Sequence, residues 1–300
     1  MIGLLWIFQR LLKIPILGAE TFMQHQMCLS DLRSFAAYLR ENEKSPVTIE
    51  KYLRDVKVFC GFCGGVVTKE SVLAYKAELM NRKYAVSSVN SMLSSINSFL
   101  IFSGWAECRV KSIRIQTRVY RPEEQELTRE EYQRLLDASR ENQQLNLLLQ
   151  TICATGIRVS ELPFFRIEAL EQSGAVEVHC KNKTRVVFVP SLLRSRLLKY
   201  ARKRKLRSGP VFVTRNGKPL DRSNIWQQMK NLCQKAQVNP EKVYPHNLRK
   251  LFARTFYSAD KDIAKLADIL GHGSIETTRI YIMSTGSEHR EKIERLNLLM

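Results

Sequence analysis

No stretch of this 300-residue sequence reaches the roughly 18 unbroken apolar residues that a membrane-spanning helix needs. The nearest approach is the opening, MIGLLWIFQRLLKIPILG, where Arg10 and Lys13 interrupt the run and Pro15 breaks it. No basic segment precedes its apolar stretch and no small-residue cleavage site follows, so it does not read as a signal peptide. Residues 1–28 are a leader of open role: an amphipathic extension, or the product of an upstream start, with Met23 or Met27 beginning the folded chain. The seven cysteines are an odd, scattered set in apolar surroundings, which excludes a disulfide framework and fits reduced thiols in a cytoplasmic protein. The single CxxC, Cys60 to Cys63, has no second pair to complete a zinc site and no βαβ context for redox work. HExxH, EF-hand, P-loop and clustered-cysteine motifs are all missing, so neither a metal nor another cofactor is expected. Acidic residues are scarce as well: 29 Asp+Glu stand against 48 Lys+Arg, a formal charge of +19. That imbalance points to a polyanionic partner, either nucleic acid or an anionic membrane surface.

What is present is mostly helical in period. In SDLRSFAAYLREN, Ser30 is the expected N-cap, and Leu32, Phe35, Ala36 and Leu39 fall on one face. Pro46 opens a second helix that Gly64-Gly65 end; KESVLAYKAELMNRK and VSSVNSMLSSINSFLIFSG follow, the last closed by Gly104. Residues 106–126 are basic, lack a sustained period and read as an interdomain linker. Thr128 and Glu131 form a capping box for the next helix. GAVEVHC and RVVFVP then bracket the turn residues KNKT as a hairpin, and helices resume to the end. No internal repeat appears.

Polar clusters stand in this second half in a definite order. Arg158 follows a glycine turn in ATGIRVSEL, Lys181 and Lys183 occupy the hairpin tip, His246 and Arg249 share a helix face at i, i+3, and His272 follows Gly271. Gly271 can end one helix and Ser274 cap the next, which places Tyr281 two turns along it. A tyrosine between Ile280 and Ile282 is by itself a core aromatic, with the isoleucines as its anchors. Two arginines, however, can clamp one phosphodiester, since each offers a planar fork matched to phosphate oxygens.

ATGIRVSEL, the basic hairpin, HNLRKLFA and LADILGHGSIETTRIY, in this order, resemble the boxes of the tyrosine recombinase (lambda integrase) family, and of its Xer-type and mobile-element members in length and plan. HxxR alone is weak, but HxxR followed by LGH 23 residues on and Tyr nine after that is demanding. The likeness covers roughly residues 125–285, and the four-helix stretch before it resembles that family's core-binding domain. The resemblance implies a fold that is mainly α with a small β-sheet. A helical core-binding (SAM-like) DNA-binding domain takes 29–105, the linker 106–126, and a catalytic tyrosine recombinase domain with C-terminal tail 127–300.

It further implies that Arg158, Arg249 and His272 contact the non-bridging oxygens of the scissile phosphate while Tyr281 attacks phosphorus, leaving a 3′-phosphotyrosyl enzyme and a free 5′-hydroxyl. Lys181, which directly follows the strand, is preferred to Lys183 as general acid, and His246 is the base or orienting group. Glu161 is either an orienting carboxylate or an exposed helix charge; Lys250 and Arg254 match no family position and read as solvated or phosphate-contacting charges. The chain departs from the family's GKG hairpin with CKNKTR, and Arg185 to Pro190 is two residues longer than usual. RSRLLKYARKRKLR, eight basic residues without an acidic one, is a DNA-backbone contact or a solvated helix end. The implied partner is double-stranded DNA with a specific recombination site, gripped by both domains, with no membrane. A homotetramer on paired sites would exchange strands in two steps through a Holliday junction, its C-terminal segment packing on a neighbouring protomer, and an accessory or partner recombinase is left open. Two other readings use similar residues: a type IB topoisomerase-like nicking-closing enzyme, and a catalytically idle DNA-binding regulator.

Overall fold

A computed structural model of the chain describes residues 24–114, 125–180, 183–283, 290–291, 293–296 and 298, so residues 1–23 of the leader read at 1–28 lie outside the described part. The chain separates into two compact units, Met1–Thr117 and Arg118–Met300. Helices dominate both, and among the described residues none is long and apolar enough to cross a membrane.

In the first unit α1 (Leu29–Glu41), α2 (Pro46–Cys63), α3 (Lys69–Asn81) and α4 (Val86–Phe102) enclose a core that includes Phe35, Val56, Phe59, Leu93 and Phe99. Ser45 caps α2 by accepting the Thr48 N–H, Pro46 begins it, and Gly64 ends it at φ +61°. The cap of α1 is Cys28 rather than Ser30, because the Asp31 carboxylate reaches back to the Cys28 N–H at 2.7 Å and starts the helix earlier. Ahead of it, β1 (His25–Gln26) pairs antiparallel with β2 (Val66–Val67), and Met27 is buried, so the unit begins before residue 29.

The expected linker at 106–126 starts too early. Ala106–Cys108 is a short 3-10 turn, and Cys108 and Val110 are buried in the first core. Asn97 donates to the Val110 carbonyl at 2.8 Å and accepts its N–H at 3.1 Å; Asn90 treats Ile113 in the same way at 2.9 and 2.8 Å. Two asparagines a pair of turns apart on α4 thus stand in for a neighbouring strand and satisfy an extended backbone that has no period of its own.

The second unit opens with α5 (Arg129–Ala138), capped by Thr128 and Glu131 as expected, and α6 (Gln143–Thr155), ended by Gly156 at φ +63°. After the 3-10 turn Val159–Phe164 and α7 (Ile167–Gln172) comes the hairpin of β3 (Ala175–Cys180) and β4 (Lys183–Phe188). Cys180 lies opposite Lys183, so Lys183 and Thr184, read as turn residues, belong to the strand. Then follow α8 (Ser191–Lys203), α9 (Arg222–Ala236), α10 (Pro245–Asp260), α11 (Ile263–Leu270) and α12 (Ile275–Ile282). The main core, with Leu148, Ile152, Phe165 and Leu248, is joined by a smaller cluster of Ala253, Leu266, Leu270 and Tyr281 where α10, α11 and α12 meet.

Two basic features have structural partners. Arg194 donates to the Leu170 and Glu171 carbonyls and Arg196 to Gln150, so part of the basic α8 segment serves the fold. Arg254, read as a solvated or phosphate-contacting charge, is ion-paired with Glu126 and donates to the Leu127 carbonyl at 2.8 Å.

Candidate active site

Two helix ends and one carboxylate organise the arginines. Gly156 turns the chain out of α6, and Arg158 follows in extended backbone at the start of the 3-10 turn. Glu161, three residues on and 1% exposed, accepts the Arg158 backbone N–H at 2.8 Å and Arg158 Nη1 at 3.0 Å. Arg185 on β4 donates to the same carboxylate at 2.7 Å. Of the two readings left open for Glu161, an orienting carboxylate matches this geometry; it is no exposed charge.

Arg249 is 1% exposed, a burial that demands partners. It donates to the Gly156 carbonyl at the end of α6 and, at 2.6 Å, to the Leu270 carbonyl at the end of α11. Arg158 donates to the Gly271 carbonyl at 3.3 Å and Arg185 to that of Ile269. The negative ends of two helices therefore gather three guanidinium groups that would otherwise repel one another. Burial pushes the Arg249 guanidinium down to about 10, with Arg158 nearby adding to the effect, so it stays charged at neutral pH. Its Nε is buried and has no hydrogen-bond partner among the described residues.

His272 follows the left-handed Gly271, in the loop as expected, with Nε2 3.0 Å from Arg249 Nη2 and Nδ1 2.9 Å from Thr278 Oγ1. Burial, and then the positive charges of Arg249 and Arg158, push its imidazolium down to about 4, which leaves the ring neutral at pH 7.

Ser274 caps α12 by accepting the Glu276 N–H, and α12 packs back onto α10 and α11. Tyr281 is 6% exposed, and its ring meets the rings of His246 and His272 edge-on, with both centroid distances 4.9 Å. Arg249 Cζ lies 5.9 Å from its centroid, and Oη is 3.4 Å from His246 Nδ1. The ring is core, as its neighbours in sequence suggested, while its hydroxyl faces His246. The anchoring expected of both isoleucines holds for one: Ile282 packs on the cluster, but Ile280 is 49% exposed. Beside Arg158 and His246 opens a groove of about 440 Å³, bounded also by Ser160, Trp226 and Tyr244.

His246, Arg249, His272 and Tyr281 are in direct contact, and Arg158 joins them through Gly271. Lys181 lies outside the described residues, and Lys183 is the first residue of β4. Sequence reading assigned no role to Arg185 or Thr278. Period two places Arg185 on the strand face that buries Val187, where an arginine needs a carboxylate; Thr278 lies one turn before Tyr281 on the buried face of α12. In the first unit His25, Glu107 and Cys108 bring ligand-type atoms within 4.8 Å of one another. His25 Nε2 and Glu107 Oε1, however, are 2.6 Å apart, a hydrogen-bonded pair closer than the roughly 3.3 Å between two ligands about 2 Å from one tetrahedral ion.

The phage integrase family matches residues 125–288, and its N-terminal SAM-like domain matches residues 32–107. The chain belongs to the phage integrase family of tyrosine recombinases. The tyrosine recombinase XerA of Pyrococcus furiosus is 30% identical over 275 residues, covering 89% of this chain and 94% of that protein. XerD of Halalkalibacterium halodurans is 26% identical over 286 residues, covering 87% and 95%. Among solved structures, a lambda integrase (75–356) dimer bound to a COC′ core site matches with TM-score 0.70 at 16% identity over 88% of this chain and 97% of that one. The crystal structure of XerA recombinase matches with TM-score 0.52 at 24% identity, over 90% and 99%. The integrase fold, mainly helical with small two-stranded sheets, is thus that of a SAM-like domain and a catalytic domain. By family this integrase is a site-specific recombinase, an enzyme that cuts and rejoins DNA.

Proposed function

We propose that this recombinase cuts each strand of a specific duplex site by attack of Tyr281 Oη on the scissile phosphorus. The observation that carries the reading is the meeting, inside one chain, of the Tyr281 hydroxyl with His246 and of the Tyr281 ring with His272 and Arg249. His246 Nδ1 receives the phenol proton as the phosphorus–oxygen bond forms. Arg158, Arg249 and His272 stabilise the charge that grows on the non-bridging oxygens, and Arg249 Nε, buried and without a hydrogen-bond partner among the described residues, is a donor not committed to the fold. Guanidinium groups supply the positive charge that a metal ion would bring in other phosphoryl-transfer enzymes.

The 5′-oxygen departs with a proton from Lys181 or, as runner-up, Lys183, leaving a 3′-phosphotyrosyl link. A phenol's pKa of about 10 makes phenolate a better leaving group than an alkoxide, so the 5′-hydroxyl of another strand reverses the step without ATP. Two such exchanges pass through a Holliday junction on a homotetramer holding paired sites. The DNA complexes among the structural relatives support DNA as the partner, and the +19 charge agrees with it. The test is incubation with duplexes nicked beside the cleavage point. Wild type should trap as a covalent protein–DNA band that Tyr281→Phe does not form; a band that persists in the Phe variant overturns the nucleophile assignment. Relaxation of supercoiled plasmid without any site would favour nicking and closing instead.

A further inference from the structure

We propose that Arg185 is a positioning residue of the reaction, holding Arg158 through Glu161 and His272 through the end of α11. The inference rests on the recombinase reading above. Its side chain is 13% exposed and lies between two parts of the site. On one side Nη2 donates to Glu161 Oε2 at 2.7 Å, the same oxygen that accepts the Arg158 backbone N–H at 2.8 Å, while Oε1 takes Arg158 Nη1 at 3.0 Å. One carboxylate thereby fixes both the backbone and the guanidinium of Arg158, and Arg185 fixes the carboxylate. On the other side Nη1 donates to the Ile269 carbonyl, three residues before His272.

The fit is steric as well as polar. Gly271, at φ +63°, passes over the Arg185 stem so closely that a Cβ there would lie 2.4 Å from Arg185 Cδ. The peptide that sets the course of the chain into His272 thus rests on the Arg185 methylene groups. An arginine is required because its planar fork can serve a carboxylate and a carbonyl in two fixed directions at once; a lysine ammonium keeps the charge but lacks the fork. Arg185 does not itself have to touch DNA. Misplacing Arg158 by about 1 Å is enough to slow the chemistry on the order of 10²-fold.

A fold-stabilising ion pair would give the same contacts, so the test separates the two roles by chemistry at phosphorus. Wild type, Arg185→Met and Arg185→Lys are compared in DNA affinity, melting temperature and single-turnover cleavage of two nicked duplexes. One carries an ordinary scissile phosphodiester, the other a methylphosphonate in which a neutral methyl group replaces a charged oxygen. On the phosphodiester, Arg185→Met should cleave about 10²-fold more slowly and Arg185→Lys about tenfold, with DNA affinity within about twofold of wild type. On the methylphosphonate the gap should shrink to a few-fold, because the anionic oxygen that a well-placed Arg158 stabilises is gone. A gap equally large on both substrates, a loss of affinity in step with cleavage, or wild-type rates in both variants overturns the proposal. Should Arg185→Met not fold, Arg185→Lys carries the same comparison with its charge retained opposite Glu161. A wild type that forms no covalent complex on the phosphodiester overturns the recombinase reading and this inference with it, an outcome distinct from the others.

Discussion

Arg249 Nη2 stands 3.0 Å from His272 Nε2, and because a guanidinium can only donate, that nitrogen must be the acceptor. The neutral ring then carries its proton on Nδ1, facing Thr278 Oγ1 at 2.9 Å. To donate to a phosphate oxygen through Nε2, the ring must exchange tautomers, with Nδ1 accepting from the threonine. A hydroxyl can rotate to do either; a methyl group can do neither. Thr278→Val should slow cleavage about 10- to 100-fold while Thr278→Ser stays within about threefold of wild type, in line with losses of one positioned hydrogen bond. Single-turnover rates check this, and a Val variant as fast as wild type would refute the exchange.

His272 also predicts an acid sensitivity. Its folded value of about 4 lies below the ordinary 6.5, so the unfolded chain takes the proton first. The contribution is fully present above pH 6.5 and is lost as the pH falls from there towards 4. The groups facing the ring, Arg249, Arg158, Arg185 and His246, all oppose its protonation. For a half-buried ring, with solvent screening allowed for, the loss is about 1–2 kcal/mol. Urea unfolding at pH 7 and pH 5 should show His272→Gln losing less stability than wild type over that interval; equal losses would remove the histidine from the account.

Tyr281 should show its two roles separately. Tyr281→Phe keeps the ring against Ala253, Leu266 and Leu270, so its unfolding free energy should stay within about 1 kcal/mol of wild type while covalent complex formation disappears. Tyr281→Ala should lose about 3–5 kcal/mol, the usual range for emptying a buried aromatic site. Chemical unfolding distinguishes them, and an Ala variant as stable as the Phe variant would show that the ring does not support the cluster.

The end of the chain offers an assembly test. Ile293, Leu296 and Leu298 are 61%, 62% and 81% exposed, an apolar set without cover among the described residues. Ile293, Leu296 and Leu299 fall at helical spacing in the sequence, and Leu299 lies outside the described residues. Deleting residues 286–300 should leave binding to a single site intact and abolish tetramers on paired sites, as read by sizing the protein–DNA complexes; intact tetramers would contradict the proposed packing on a neighbour.

Local rules made much of this legible before the structure. Gly64, Gly156 and Gly271 stop helices where a left-handed residue is needed, and Thr128 and Ser274 start them with side-chain oxygens. The i, i+3 spacing of His246 and Arg249 suffices to put both on one face of α10. Spacing could not show that Tyr281 returns to His246, because that depends on the small core of Leu266 and Leu270, not on any motif. The roles of Arg185 and Thr278 were hidden for a related reason: each acts through a partner distant in sequence or in the next turn, and neither belongs to a cluster of reactive side chains. The embrace of residues 110–113 by Asn90 and Asn97 escaped a search for periods because side-chain amides, rather than a repeating pattern, hold that segment.

Glu161 and the carbonyls of Gly156, Ile269, Leu270 and Gly271 bring Arg158, Arg185 and Arg249 together through contacts within the folded chain alone. Crowding like charges is uphill work, and in this enzyme it is completed once, when the polypeptide folds. Under the proposed chemistry, a phosphate entering the cradle would meet dipoles already aligned and have little solvent left to reorganise. The cost of preparing each proposed strand cut is therefore met in folding, not at the encounter of protein and DNA.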